Sequence, residues 1–251
     1  MIPTICVLIG LTVMLAAFKL APRLAEGHVV FDQTPDRPAP FGYRMAWIAI
    51  RSRETALVAE VLGLRMIQHA NWRTGVGAVY DQRLGESHVY ISPPVNGWTF
   101  VIGLPLPQPL GAGFVDKSTP MLLDLAGRFP EAQYYLSYGP IDVYAWARVL
   151  DGKLVRAFAI GDEGVIWNKG KASKEERGLG LDLFNVKGVR SRKSDIGPPM
   201  QVYPTEAHVM HLAGCWSLDP TSIAAPKADA SVGVICAPPA RWRPERLRRT
   251  G

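Results

Sequence analysis

Cysteine is scarce in this chain, and so are long stretches without charge. Only three of the 251 residues are cysteines, which excludes the disulfide framework of a small secreted protein. Residues 2–18 are the one long, apolar stretch that is free of charge, which excludes a polytopic membrane protein. Hydrophobic residues make up 48% of the chain, so it has enough apolar material to bury a core and is not disordered throughout.

The positive charge of the chain is small and unevenly distributed. Lys and Arg number 28 against 22 Asp and Glu, a formal net charge of +6, of which residues 240–251 contribute +4 through five arginines and one glutamate. The rest is nearly neutral, so we expect no specific nucleic-acid binding. We predict a disordered basic tail over residues 239–251. Its candidate contacts with lipid or other anions are Arg241, Arg243, Arg246, Arg248 and Arg249.

The N-terminal stretch predicts a membrane anchor. Residues 2–18 show no polar face, unlike a buried core helix, and lack the positive region that precedes the apolar run of a cleaved secretory signal. We therefore predict an anchor over residues 1–22 that spans the bilayer with residues 2–21. Lys19 and Arg23 follow the span, which favours a cytoplasmic domain at a bacterial inner membrane. A periplasmic domain and a cleaved signal remain the alternatives.

The remaining chain is predicted to comprise a linker, over residues 23–42, and one folded domain, over residues 43–238. Pro35, Pro38 and Pro40 forbid a helix in the linker and favour a stiff, extended tether. Helices are predicted after Ser52 up to Gly63, from Ser118 or Thr119 to Pro130, and after Thr205; a short charged helix fits residues 169–177. Strands are predicted at residues 45–50, 77–81, 88–92, 99–103, 132–138, 142–150, 153–160 and 165–168, with an edge strand at 232–236.

The links between these strands set the fold class. Asn96-Gly97 and Asp151-Gly152 are typical of two-residue hairpin turns, and such short links allow only antiparallel pairing. We therefore predict an α+β fold, an antiparallel sheet with two or three helices packed on one face, preceded by one transmembrane helix.

Motifs for catalysis and cofactor binding are largely missing. The chain has no Walker-type lysine and no Gly-x-Ser-x-Gly elbow, so no catalytic residue and no cofactor is predicted. His208 and His211 share one helical face, but they are weak metal candidates because no third local ligand accompanies them. Cys215 and Cys236 are compatible with either a disulfide or two free thiols.

The sequence offers one candidate binding surface, on the predicted hairpin around Asp151-Gly152. Strand alternation places five side chains on one face, exposed or half covered: Tyr144, Trp146, Arg148, Arg156 and Phe158. Trp, Tyr and Arg dominate the energetics of protein interfaces, so this face predicts a protein partner. The alternative is a second small core in which Trp146 and Phe158 pack against the loop at residues 104–113.

The Trp146-Ala147-Arg148 and Asp151-Gly152-Lys153 hairpin resembles those of small α+β immunity and adaptor proteins of bacteria. The resemblance implies a binding role. Together with the anchor, it predicts a membrane-anchored protein-interaction module whose partner is unknown. The alternatives are a membrane-associated enzyme with a His, Asp or Glu site, for which candidates such as His69, His88, Asp142 and Asp162 lie scattered, and a peripheral binder of nucleic acid or lipid that uses the basic tail.

Overall fold

The computed structural model describes residues 29–109, 116–161, 164–181, 203–223 and 228–242. The predicted anchor lies outside these residues. Within them, every helix is too short or too polar to cross a membrane. The chain divides into two units, Met1–Phe31 and Asp32–Gly251, and the fold described below belongs to the second.

An antiparallel sheet of nine strands forms the centre of the second unit. Its strand order is β2-β9-β3-β4-β1-β5-β6-β7-β8. The bounds are β1 Met45–Ile50, β2 Arg65–Asn71, β3 Val89–Ile91, β4 Thr99–Ile102, β5 Glu131–Tyr138, β6 Val143–Leu150, β7 Lys153–Gly161, β8 Gly164–Lys169 and β9 Val232–Ala237. The predicted α+β class with an antiparallel sheet is confirmed.

Five α-helices accompany the sheet in the described part of the chain. Their bounds are α1 Thr55–Leu62, α2 Trp72–Tyr80, α3 Ser118–Ala126, α4 Lys174–Gly178 and α5 Glu206–Trp216. Gly63 ends α1 with a φ of 67°, a left-handed conformation that costs glycine little. The two predicted hairpin turns also form, with positive φ at Asn96, Gly97, Asp151 and Gly152, as the twist of an antiparallel pair favours.

The helices cover both faces of the sheet, so the prediction of helices on one face is wrong. The even-numbered residues of β5, such as Tyr134 and Leu136, belong to one apolar cluster with Leu122 of α3 and Val58 of α1. The odd-numbered residues point the other way, and Gln133 donates a hydrogen bond to the Trp216 carbonyl oxygen at the end of α5. We call the side under α1 and α3 the aliphatic face and the side under α2, α4 and α5 the aromatic face.

Two strand assignments also need correction. Residues 77–81 do not form a strand but belong mostly to α2, whose first turn is capped by the Asn71 side chain and by the Asp36 carboxylate. Gly75 in this helix lies against Tyr90, where an added Cβ would come within 2.2 Å of the ring. β2 was not predicted, since its burial does not alternate and a bulge interrupts it between Met66 and Gln68. β9 is not an edge strand: it pairs with β2 on one side and with β3 on the other.

The folded unit extends beyond the predicted domain at both ends. Part of the predicted linker is docked: the Asp36 carboxylate accepts the backbone N–H groups of Trp72 and Arg73 at the start of α2. Phe41 is buried with its ring edge-on to Trp47. Near the C-terminus, Trp242 belongs to the apolar cluster under α1 and α3, so the domain does not end at residue 238.

Candidate binding site

The five predicted surface residues do lie on one face of the β6–β7 pair. Trp146 stands directly opposite Phe158, and their rings stack with centroids 4.7 Å apart. Arg148 stands opposite Arg156, and Tyr144 lies two residues from Trp146 on the same face. The alternation derived from the sequence therefore placed these side chains together as predicted.

This face is interior rather than exposed. Trp146 and Phe158 are each 1% exposed, and Tyr144 and Arg156 are also buried. Helices α4 and α5 pack over this face: Glu176 of α4 accepts from Trp146 and Arg156, and Arg148 lies over the Trp216 ring of α5. Part of the loop at residues 104–113 that the alternative invoked lies outside the described residues. Of the five residues, only Arg148 keeps substantial side-chain exposure, 27%.

Glu176 of α4 is the centre of this buried face. Its carboxylate accepts hydrogen bonds from the Trp146 indole N–H at 2.9 Å and from the Arg156 Nε at 2.8 Å, and the Arg156 Nη2 lies 2.7 Å away. The Ser173 backbone N–H donates to the same carboxylate in a capping box. The other Nη of Arg156 donates to the Asn168 side chain at 2.7 Å. Both buried charges are thus paired and hydrogen-bonded, and the ion pair joins α4 to β7.

A second network joins β5 and β6 to the end of α5. Glu131 accepts from Arg148 Nε at 2.7 Å and from the Gln133 side-chain amide at 2.8 Å. Tyr135 donates to the Gln133 side-chain oxygen, and its ring stacks on Trp47. The polar groups of this network therefore bind one another and tie β5 and β6 to α5.

His208 caps a helix, and Cys215 and Cys236 do not form a disulfide. His208 Nδ1 accepts the backbone N–H of Thr205 in the capping box of α5, and burial, followed by the charge of His211, lowers the pKa of His208. No three metal-ligating side chains come together within the ranges that the structure describes. Cys215 and Cys236 are free thiols: Cys215 is exposed, and burial raises the pKa of Cys236 to about 12.

The predicted anion contacts fall largely outside the described residues, which end at residue 242. Four of the five lie beyond that residue: Arg243, Arg246, Arg248 and Arg249. Arg241 is described, and its guanidinium donates a hydrogen bond to the Leu62 carbonyl oxygen at the end of α1. A cation at this position complements the negative end of the helix dipole.

An open cleft of about 620 Å³ lies beyond the end of the aromatic face. We call it the tyrosine cleft, and it is lined by Tyr43, Arg44, Gly139, Pro140, Tyr144, Thr205, Glu206 and Ala207. The start of β1, the turn between β5 and β6, and the first turn of α5 converge there. Tyr144 is the one residue that the cleft shares with the surface predicted from the sequence.

Hydrogen bonds from neighbouring elements fix the walls of the cleft. The Tyr80 hydroxyl accepts the Gly42 backbone N–H at 3.1 Å and donates to the Tyr43 carbonyl oxygen at 2.8 Å, so α2 holds the turn that enters β1. Across the cleft, the Glu206 carboxylate accepts the Ser137 hydroxyl at 3.0 Å. The cleft is therefore preformed by three separate parts of the chain.

Two residues beside the cleft have left-handed backbone conformations. Arg44 has a φ of 52° and Asp142 a φ of 48°, and neither lies in a two-residue hairpin turn. Asp142 adopts this conformation as the C-cap of the short 3-10 helix Gly139–Ile141, a position that aspartate tolerates, whereas the conformation is costly for arginine. Backbone strain of this kind concentrates at functional sites. Arg44 is also exposed and forms no ion pair with a described carboxylate.

The electrostatics of the cleft combine one cation with several acidic or phenolic groups. Burial, followed by the hydrogen bond to Asp142, raises the pKa of Tyr144 to about 12, and the charge of Glu206 contributes. Burial also raises the pKa of Tyr80, with a further contribution from Glu206. Both tyrosines therefore stay neutral at physiological pH, and each donates its single hydroxyl proton within the protein, Tyr80 to the Tyr43 carbonyl oxygen and Tyr144 to Asp142.

Sequence reasoning missed most of this cleft. Tyr43 and Arg44 lie at the predicted start of the domain, and no motif in the sequence points to Glu206. The available signal was the pair Gly42-Tyr43, an aromatic residue after a glycine at the start of a buried strand. Comparisons of the chain with protein-family models, with curated proteins and with solved structures find no match.

Proposed function

We propose that this protein is a single-pass, membrane-anchored protein-interaction module of a bacterial cell, adaptor-like or immunity-like, and that the tyrosine cleft binds its protein partner. The apolar, charge-free residues 2–18 and the extension to residue 21 support the anchor, and the positive residues Lys19 and Arg23 support a cytoplasmic domain at the inner membrane. The partner is a protein whose identity the cleft does not specify.

The observation that carries the binding role is a concentration of exposed apolar side chains around the cleft. Tyr43 is 50% exposed, Ile141 57%, Tyr203 44% and Tyr80 42%. Three of these residues do not line the cleft but lie next to residues that do. Ile141 follows Pro140 in the chain, the Tyr80 hydroxyl donates to the Tyr43 carbonyl oxygen, and Tyr203 contributes to the raised pKa of Tyr144. Tyrosine beside an arginine that pairs with no described carboxylate is the composition of a protein-binding hot spot.

The alternative of a membrane-associated enzyme has weaker support from the geometry. His88 Nδ1 contacts the Leu84 carbonyl oxygen, Asp142 accepts the Tyr144 hydroxyl, and His208 caps α5, so these groups are engaged locally. His69 lies on β2, at an edge of the sheet, and Asp162 lies outside the described residues. The described candidates thus do not converge on one cavity.

Photo-crosslinking from defined positions tests the cleft. A photoreactive amino acid is placed at Tyr43 or Tyr203 of the full chain in membranes, with Leu123 on α3 as the control because its exposure is similar, 42%. We expect both cleft positions to crosslink the same partner protein, and the control not to. The Arg44→Glu variant should weaken that crosslink. Equal crosslinking from Leu123, or a crosslink that Arg44→Glu does not change, would contradict the proposal.

The thiol of Cys215 reports the side of the membrane in the same cells. Cys215 is exposed and Cys236 is buried, so a membrane-impermeant maleimide will react at Cys215 only where it can reach the domain. We expect labelling only after the inner membrane is opened, and none in the Cys215→Ser variant. Labelling of intact cells would place the domain in the periplasm, and release of the protein by carbonate would disprove the anchor.

A further inference from the structure

The strand β2 lies at an edge of the sheet and exposes apolar side chains. Among the described residues, β9 is its only partner strand. Met66 is 46% exposed and Ile67 41%, and the bulge between Met66 and Gln68 places Ile67 outside the regular register. Natural edge strands usually avoid adjacent exposed apolar residues because an open edge can pair with another chain.

The open edge of β2 directs backbone groups outward. The Asn71 backbone N–H points away from β9, because it donates to the Asp32 carbonyl oxygen at 2.7 Å. In an antiparallel pair, alternate residues direct both backbone groups to the same side. His69, two residues earlier with no bulge between them, therefore also directs its N–H and carbonyl groups to the open edge. Asp32 therefore occupies this edge at its Asn71 end, and the edge continues along residues 65–69.

β2 itself carries one charged side chain, Arg65, together with His69, and no carboxylate. Arg241 lies close to the Arg65 end, with its guanidinium against Gly63. At the other end, Arg73 is near Asp32, whose pKa is lowered chiefly by the Thr34 N–H and, less, by Arg73. The unbalanced positive charge is therefore at the Arg65 end.

We propose that the β2 edge is a second docking site, separate from the tyrosine cleft, that binds an extended segment of a partner protein by strand addition. The segment pairs with residues 65–69, packs apolar side chains on Met66 and Ile67, and places a carboxylate beside Arg65 and Arg241. Backbone hydrogen bonds supply the affinity, and the carboxylate supplies the selectivity. A second copy of this chain fits less well, because antiparallel pairing of two β2 edges about Ile67 sets Arg65 against His69 without any carboxylate.

Two capped peptides that differ at one position test the site. The probes are Thr-Glu-Val-Thr-Val-Thr and the same peptide with Lys in place of Glu, added to the full chain in detergent micelles. We expect the Glu peptide to bind about tenfold more tightly by fluorescence anisotropy and to slow amide exchange at residues 65–69. The Arg65→Glu variant should reverse the preference, and Ile67→Lys should weaken both peptides about tenfold.

Matched variants distinguish binding at the β2 edge from binding elsewhere on the protein. Leu123→Lys, an exposed position on α3, should leave both affinities unchanged, as should Tyr43→Ala in the tyrosine cleft. Arg65→Gln provides a milder variant if charge reversal disturbs folding, and it should remove the preference without reversing it. Equal binding of the two peptides to the unaltered protein would overturn the proposal. Self-association that Ile67→Lys abolishes, without peptide binding, would overturn it in favour of a second copy.

Discussion

The two faces of the central sheet are built on different physical principles. The aliphatic face packs residues such as Ile48, Leu122 and Val149 under α1 and α3, and its stability comes from removing apolar area from water. The aromatic face buries rings together with the Glu176–Arg156 and Glu131–Arg148 ion pairs. The apolar contacts of the first face tolerate rearrangement, whereas the buried charges of the second need their partners.

The largest expected effect is the loss of the carboxylate of Glu176. Glu176→Ala leaves the buried Arg156 without its partner, so we expect a decrease in the free energy of unfolding of about 3–5 kcal/mol. Leu122→Ala, a fully buried truncation on the aliphatic face, should cost about 2–5 kcal/mol through its cavity alone. Urea denaturation measures both changes.

A paired replacement distinguishes the two causes. The double variant Glu176→Leu with Arg156→Met removes both charges, and we expect it to recover most of the stability lost in Glu176→Ala. We expect no similar rescue of Leu122→Ala from changing a polar neighbour, because its loss comes from a cavity. If Glu176→Ala costs less than about 1 kcal/mol, the ion pair does not hold α4 on the sheet.

A smaller contrast comes from adjacent tyrosines on β5 that point to opposite faces. The Tyr135 hydroxyl donates to Gln133, so Tyr135→Phe should lower the free energy of unfolding by about 1–2 kcal/mol. The buried Tyr134 hydroxyl finds no partner among the described residues, so Tyr134→Phe should be neutral or raise stability by up to about 1 kcal/mol. Thermal and urea unfolding measure the pair, and equal losses would contradict the contrast between the faces.

The smallest effect is expected at alkaline pH, at the edge of the aromatic face. Burial, followed by the hydrogen bond to Asp142, raises the pKa of Tyr144 to about 12, above the value near 10 of the unfolded chain. Its contribution to stability is complete below pH 10 and is lost as the pH rises from 10 through 12. Tyr144→Phe should therefore lose less stability than the unaltered protein as the pH rises through this range. Urea denaturation measures the free energy of unfolding of both proteins against pH. If the two decrease equally above pH 10, the titration of Tyr144 does not cause the loss.

Local patterns predicted every described strand and α-helix except β2 and α2. β1, the β5–β8 strands and the Asp151-Gly152 turn were found because each is specified by short-range alternation and turn chemistry. The helix α2 was missed because Gly75 and Gly77 are poor helix formers, and its start is fixed by Asp36, which is distant in the chain. Of the tyrosine cleft, only Tyr144 was predicted, because its other walls come from three separate segments.

The sequence by itself determined the antiparallel pairing, the hairpins and the face on which Tyr144, Trp146, Arg148, Arg156 and Phe158 lie. These features depend on neighbours in the chain, and strand alternation fixes the direction of each side chain. The tertiary structure alone decided what covers that face, since Glu176 reaches Trp146 from 30 residues away. It also decided that β9 is internal and β2 lies at the edge, because strand order depends on which distant segments bury the most area together.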